Sequence, residues 1–206
     1  DGIPSAVRNV AYSAGNTLSD MAIYDRIEVL KGASGLLSGA GSLGGTINLV
    51  RKKPTADFQG HATLGAGSWD NYRSELDVSG PLTETGNVRG RAVAAYQDKH
   101  SFIDRYSSQN SVFYGILEFD LSPDTLLTVG ADYQDNDPKG STWSGSFPLL
   151  NSKGERNDAK RSFSNSTDWS SWQQYTRTVF ATLEHDLGDG WVTKLQLDHK
   201  YNGYDA

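Results

Sequence analysis

Few residues of this 206-residue chain stand in a pattern that could perform chemistry. The four histidines, His61, His100, His185 and His199, show no i, i+4 pairing. They read as isolated surface or lumen residues rather than zinc ligands. No cysteine is present, which excludes a disulfide scaffold, a Cys-ligated metal centre and a thiol nucleophile. No Gly-x-Ser-x-Gly elbow occurs, so no enzyme is expected. Gly39-Ala40-Gly41-Ser42-Leu43-Gly44 matches G-x-G-x-x-G. A dinucleotide site would need a helix to open there. Instead Thr46-Ile47-Asn48-Leu49-Val50 reads as a strand, and the glycines suit a compact loop passing close to other backbone. The binding chemistry that remains is aromatic. Trp143, Trp169 and Trp172, with Phe147 and Phe163, lie in one long connection from Asn136 to Gln174. Such rings could hold a small polar-aromatic ligand above a pore, or pack the loop against itself and its neighbours.

The elements that must carry this loop have a period of two. From about Phe58 onward, apolar and polar residues alternate, as in Tyr72, Ser74, Leu76, Val78 against Arg73, Glu75, Asp77, Ser79. The same alternation recurs through 91–97, 113–121, 127–134, 178–187 and 191–198, with a weaker segment around His61 to Gly67. Ile116 and Phe180 break it by placing large apolar side chains on the polar parity. Alternation of this kind marks strands with one apolar and one polar face. Two architectures fit: a sandwich with a wet outer surface, or a barrel with a lipid face and a polar lumen. The connections favour the barrel, because they alternate in length. At one end Pro81–Asn87, Ser122–Asp124 and Gly188–Gly190 are all short, whereas at the other Ser68–Asn71 is short but Asp98–Asn110 and Asn136–Gln174 are long. Outer-membrane barrels have this asymmetry of periplasmic turns and extracellular loops.

Composition agrees with a barrel. The net charge of −6 argues against nucleic acid as a partner. The mean hydropathy of −0.54 is what alternating lipid-facing and lumen-facing positions average to. Residues 1–55 differ from the rest. Two strand-like runs, 23–30 and 46–50, flank a Gly/Ser/Leu stretch, and Leu18 to Tyr24 reads as one or two helical turns leading in. Asp1-Gly2-Ile3-Pro4 and the final Tyr204-Asp205-Ala206 both look cut, so the chain is expected to be an internal fragment.

Residues 24–39, Tyr24-Asp25-Arg26-Ile27-Glu28-Val29-Leu30-Lys31-Gly32 through Gly39, followed by Gly44-Gly45-Thr46-Ile47-Asn48-Leu49-Val50-Arg51-Lys52-Lys53-Pro54, closely resemble the plug signature of TonB-dependent outer-membrane receptors. Pro81 to Arg91 and Asp104-Arg105-Tyr106 resemble the siderophore branch, of the ferric-pyoverdine, ferric-coprogen and ferrioxamine type. The resemblance implies a mostly β fold: the C-terminal half of an α/β plug domain over 1–55, and about seven of roughly 22 strands of a transmembrane antiparallel β-barrel over 56–206. It implies TonB-dependent uptake of a ferric siderophore across the bacterial cell outer membrane. The implied partners are the siderophore, the TonB–ExbB–ExbD complex through a TonB box outside this segment, and outer-membrane lipid or lipopolysaccharide. The receptor would be a monomer.

No protein cofactor or metal ligand is expected, since the siderophore itself holds the iron. The resemblance places Arg8, Asn9, Tyr12 and Asn16 on plug apex loops, and Trp143, Trp169 and Trp172 on an external loop, as ligand-binding candidates. Arg8 leads because a fixed cation suits an anionic chelate. Arg26, Glu28, Arg51 and Lys52 read as plug–barrel contacts. A secreted carbohydrate-binding β-sandwich would explain the alternation but not the plug-like signature. A passive porin-like channel would explain the barrel but not residues 1–55.

Overall fold

The computed structural model describes residues 20–32, 45–141 and 148–205. The first helical lead-in is a single 3₁₀ turn, Met21–Ile23, capped by the Asp20 carboxylate, which accepts from the Ala22 N–H. Strands β1 (Tyr24–Lys31) and β2 (Gly45–Arg51) pair antiparallel as a two-stranded sheet. The remaining strands are β3 (Gln59–Gly67), β4 (Asn71–Pro81), β5 (Val88–His100), β6 (Ser107–Ser122), β7 (Thr125–Lys139), β8 (Gln173–Gly188) and β9 (Trp191–Asp205). They form one seven-stranded antiparallel meander in chain order, each pairing with the next.

Local chemistry sets the turns. Between β8 and β9, Gly188, Asp189 and Gly190 all adopt positive φ, a region that glycine enters without steric cost and aspartate tolerates. Pro123-Asp124 fill the tight β6–β7 turn, closed by the pair Ser122 and Thr125. The other end carries the long connections. β7 runs on to Lys139, and an isolated bridge from Lys139 to Ser171 leads into β8, so the long connection is narrower than its Asn136–Gln174 expectation. Among the described residues no helix is long and apolar enough to cross a membrane.

The distribution of burial inverts that of a soluble sheet. On β6 the apolar Phe113 is 57% exposed, whereas Tyr114 and Ile116, on the polar parity, are 3% and 4% exposed. The same holds across the meander. Leu64, Leu76, Val179 and Leu195 lie open on the outer face, whereas Asp77, Glu118, Asp132, Gln134 and Thr178 are buried on the inner one. Ile116 and Phe180 break the sequence alternation because they belong to the inner-face core, with Val93, Ala95, Val112 and Tyr114, and with Ala22 and Ile23 from the turn before β1. The inner face wraps around one short segment. Asp20 reaches β4 and β7, while Arg51 reaches β9 and Lys52 reaches β4.

Candidate functional site

The inner-face seam is built from two consecutive cations at the end of β2. Successive side chains of an extended segment point in opposite directions, so Arg51 and Lys52 reach opposite ends of the meander. Arg51 lies over the Phe180 ring at 4.3 Å and 3.7 Å from Asp198. Lys52 donates to Asp77 at 2.8 Å and lies 3.8 Å from Glu75. Asp77 is also gripped by Arg91, whose Nε and Nη2 donate to its two oxygens at 2.8 and 2.7 Å. The backbone joins in. Arg91 donates to the Lys53 carbonyl, the Tyr114 hydroxyl donates to the Lys52 carbonyl, and the Thr55 N–H donates to the Ser79 hydroxyl. A buried carboxylate such as Asp77 is tolerable only when paired and hydrogen-bonded, and here two cations share it.

A second clasp holds the entry to β1. Arg73 donates two hydrogen bonds to Asp20, at 2.9 and 2.8 Å, and the Asp20 N–H donates to Gln134 Oε1. Burial pushes the Asp20 carboxyl up, but the Arg73 hydrogen bonds and the Ala22 N–H outweigh it, and its pKa lies below the ordinary carboxylate value. The turn before β1 and the exit of β2 are joined as well, since the Lys52 N–H donates to the Ile23 carbonyl.

Of the four expected plug–barrel contacts, Arg51 and Lys52 reach the meander as described. Arg26 and Glu28 touch none of the seven described strands of the meander. They are exposed, and Arg26 pairs with Glu28 at 2.8 Å and with Asp25 at 3.1 Å, while Asn48 donates to Glu28. Both lie within β1, whose charges are satisfied locally and by β2. Asp20 and Arg73 add a further anchor to this sheet. No motif marks them, although Asp20 precedes the turn as an N-cap residue should.

The second cluster lies where the long connections meet. Trp69, in the β3–β4 turn, packs on Phe102 in the β5–β6 connection at 6.1 Å, and Arg161 lies over the same ring at 5.1 Å. The Asp104 N–H donates to the Ser162 carbonyl at 2.7 Å, and Arg105 Nη1 donates to the carbonyls of Ser164 and Ser166. The long connection therefore folds back over the shorter one. Trp169 is 84% exposed at its end, and the Trp172 N–H donates to the Pro138 carbonyl. Arg8, Asn9, Tyr12, Asn16 and Trp143 lie outside the described residues, as do the glycines of the G-x-G-x-x-G stretch, so the ligand candidates are not seen together. Among the described residues no group of three or more His, Cys, Asp or Glu could hold a metal ion. His61 and His185 bond to Thr63 and Thr125 instead.

A sheet with an apolar outer face, and an inner face fastened to the strands that precede it, defines the class: a plugged membrane β-barrel. Residues 1–46 match the TonB-dependent Receptor Plug Domain. The chain belongs to the family of TonB-dependent siderophore receptors, and it spans the last part of a plug and the first strands of a barrel. It is 79% identical, over all of its 206 residues, to the ferripyoverdine receptor of Pseudomonas aeruginosa, and covers 25% of that protein. It is 47% identical to the ferric-pyoverdine BN7/BN8 receptor of Pseudomonas putida, again over its whole length and 25% of the relative. The crystal structure of the ferripyoverdine receptor of the outer membrane of Pseudomonas aeruginosa, bound to ferripyoverdine, superposes with a TM-score of 0.93 over 99% of this chain and 27% of that one. The chain thus spans about a quarter of the length of these relatives.

Proposed function

We propose that the protein to which this chain belongs imports a ferric siderophore of the pyoverdine class across the bacterial outer membrane. The observation that carries this reading is the inverted burial. An apolar outer face suits lipid, and a polar inner face gripped by Arg51, Lys52 and Asp20 suits a barrel that must hold a plug. The ferripyoverdine receptors that match the whole chain support the substrate class. In this reading residues 1–55 complete the plug and 56–206 begin the barrel. The siderophore carries the iron, so the protein needs neither a cofactor nor metal ligands of its own. The reading assigns the protein no catalytic step. Uptake is driven by TonB–ExbB–ExbD acting on a segment upstream, and the receptor works as a monomer.

The deciding experiment is growth on ferripyoverdine as the sole iron source, with the full receptor present or deleted and TonB active or absent. Growth is expected only with both. Import without TonB would indicate a passive channel, and recovery of the full protein in the soluble fraction would overturn the reading. The ligand site is assigned to Arg8, Asn9, Tyr12 and Asn16 on the plug apex, with Trp143, Trp169 and Trp172 from the long loop. Arg8→Ala in the full receptor is expected to weaken ferric-siderophore binding by about tenfold, as loss of one charge-assisted contact would. A fluorescence-quenching titration measures this, and an unchanged affinity removes Arg8 from the site.

A further inference from the structure

The outer face of the meander carries a feature that plug and siderophore leave unused. Adjacent strands place Val78, Ala92, Gly115, Ala131 and Val179 in register across five strands. The next register row outward from this one holds Leu76, Ala94, Phe113, Tyr133 and Arg177. Small residues in one row beside large ones in the next leave a groove of about 600 Å³, whose lining is apolar except at Arg177 and its neighbours. Gly115 forms part of its floor, and a Cβ added there meets nothing within 4 Å.

Arg177 closes the end of this groove nearest the long connections. It is exposed on the outer face and lies between tyrosines, with its guanidinium 5.6 Å from the Tyr133 ring and 5.2 Å from the Tyr175 ring. Tyr201 faces it in register on β9 and packs against Tyr175 at 6.0 Å. Among the described residues no carboxylate pairs with it. Asp135, on the same face, accepts from the Tyr133 hydroxyl and the Gln173 amide through one of its oxygens and forms no ion pair with Arg177 among the described residues. A cation on the lipid side of a barrel costs more the deeper it lies. One placed among interfacial tyrosines, with no ion-pair partner of its own, calls for an anion at headgroup depth.

We propose that this groove binds one lipid of the outer leaflet, with an acyl chain along the Ala92–Gly115–Ala131 floor and a headgroup phosphate on Arg177. Arg fits this role because its planar fork meets phosphate oxygens bidentately while its face stays stacked on the aromatic rings. The proposal rests on the reading of this sheet as a membrane wall.

The test uses the full receptor, purified in detergent and titrated with lipid A, with retention read by native mass spectrometry. The wild type is expected to retain one lipid that Arg177→Gln binds about fivefold or more weakly, the effect of one interfacial cation. Gly115→Leu fills the groove without backbone strain and is expected to lose the same lipid while Arg177 stays in place. Dephosphorylated lipid A is expected to bind the wild type as weakly as the phosphorylated form binds Arg177→Gln. Equal retention by wild type and Arg177→Gln overturns the proposal, as does displacement of the lipid by millimolar inorganic phosphate alone. Ferripyoverdine binding is measured on the same samples. If it persists while lipid retention is indifferent to both substitutions, the lipid site falls and the receptor reading stands.

Discussion

Gly130 faces Phe180 across the β7–β8 register, and the absence of a side chain there decides where Arg51 can lie. A Cβ at Gly130 would come within 2.4 Å of the Phe180 ring and 2.9 Å of the Gly115 carbonyl. The ring therefore occupies the space over the glycine, and its free face receives the Arg51 guanidinium. Gly130→Ala is expected to displace the ring and cost about 1–3 kcal/mol, the range for overpacking a filled site. Phe180→Ala removes both the buried ring and the cation–π contact, and is expected to cost about 3 kcal/mol. In the double variant the alanine at 130 no longer meets a ring, so its cost is expected to fall to what the close approach to the Gly115 carbonyl imposes. Chemical denaturation of the four proteins measures this coupling, and simple additivity would show that the ring and the glycine are not one unit.

At the scale of elements, the segment from the 3₁₀ turn to β2 is fixed at both ends, and the clasp at its start is acid-sensitive. Asp20 has a lowered pKa in the folded protein, so its stabilising contribution is complete above the unfolded value of about 3.9 and is lost as pH falls through the folded one. The protection factors of the amides of residues 20–31, with the intrinsic pH dependence of exchange divided out, are expected to fall below about pH 4 and to be steady above it. Asp20→Asn should remove that acid step, and an acid step that persists in this variant would place the sensitivity elsewhere.

The long connection is fixed by Arg105, which itself adopts φ 67°. Its ion pair with Asp168 is exposed and worth about 0–1 kcal/mol. Its bonds to the Ser164 and Ser166 carbonyls, at 3.4 and 3.3 Å, are long. Together they support the loop by about 1–2 kcal/mol. Arg105→Ala is expected to speed proteolytic cleavage within 148–172 by about tenfold while the strands stay protected. An unchanged cleavage rate would show that Phe102, Arg161 and the Asp104–Ser162 bond suffice.

At the scale of the molecule, β3 and β9 each have a strand on one side only among the described residues. Open backbone edges are intolerable in lipid, where each unpaired group costs on the order of several kcal/mol. Residues 1–206 expressed alone are expected neither to insert nor to restore siderophore-dependent growth, and recovery of growth would contradict this.

The alternation from Phe58 onward was enough to give the seven strands, their order as a meander and the asymmetry of their connections, because strand period and turn chemistry are local properties. The plug signature was equally legible, since it is a run of neighbouring residues. Alternation alone could not say which face was buried. A sandwich and a barrel share that pattern, and the difference lies in what covers each face. Beside the loop lengths and the plug signature, Ile116 and Phe180 are the trace along the strands themselves, two exceptions that become a core once Ala22 and Ile23 lie against their neighbours. Asp20–Arg73, Arg51–Asp198 and the row that ends at Arg177 join residues far apart in the chain. Only the tertiary structure decided them, because the first two depend on how the turn before β1 and the end of β2 lie against the meander, and the third on register across four strand pairs.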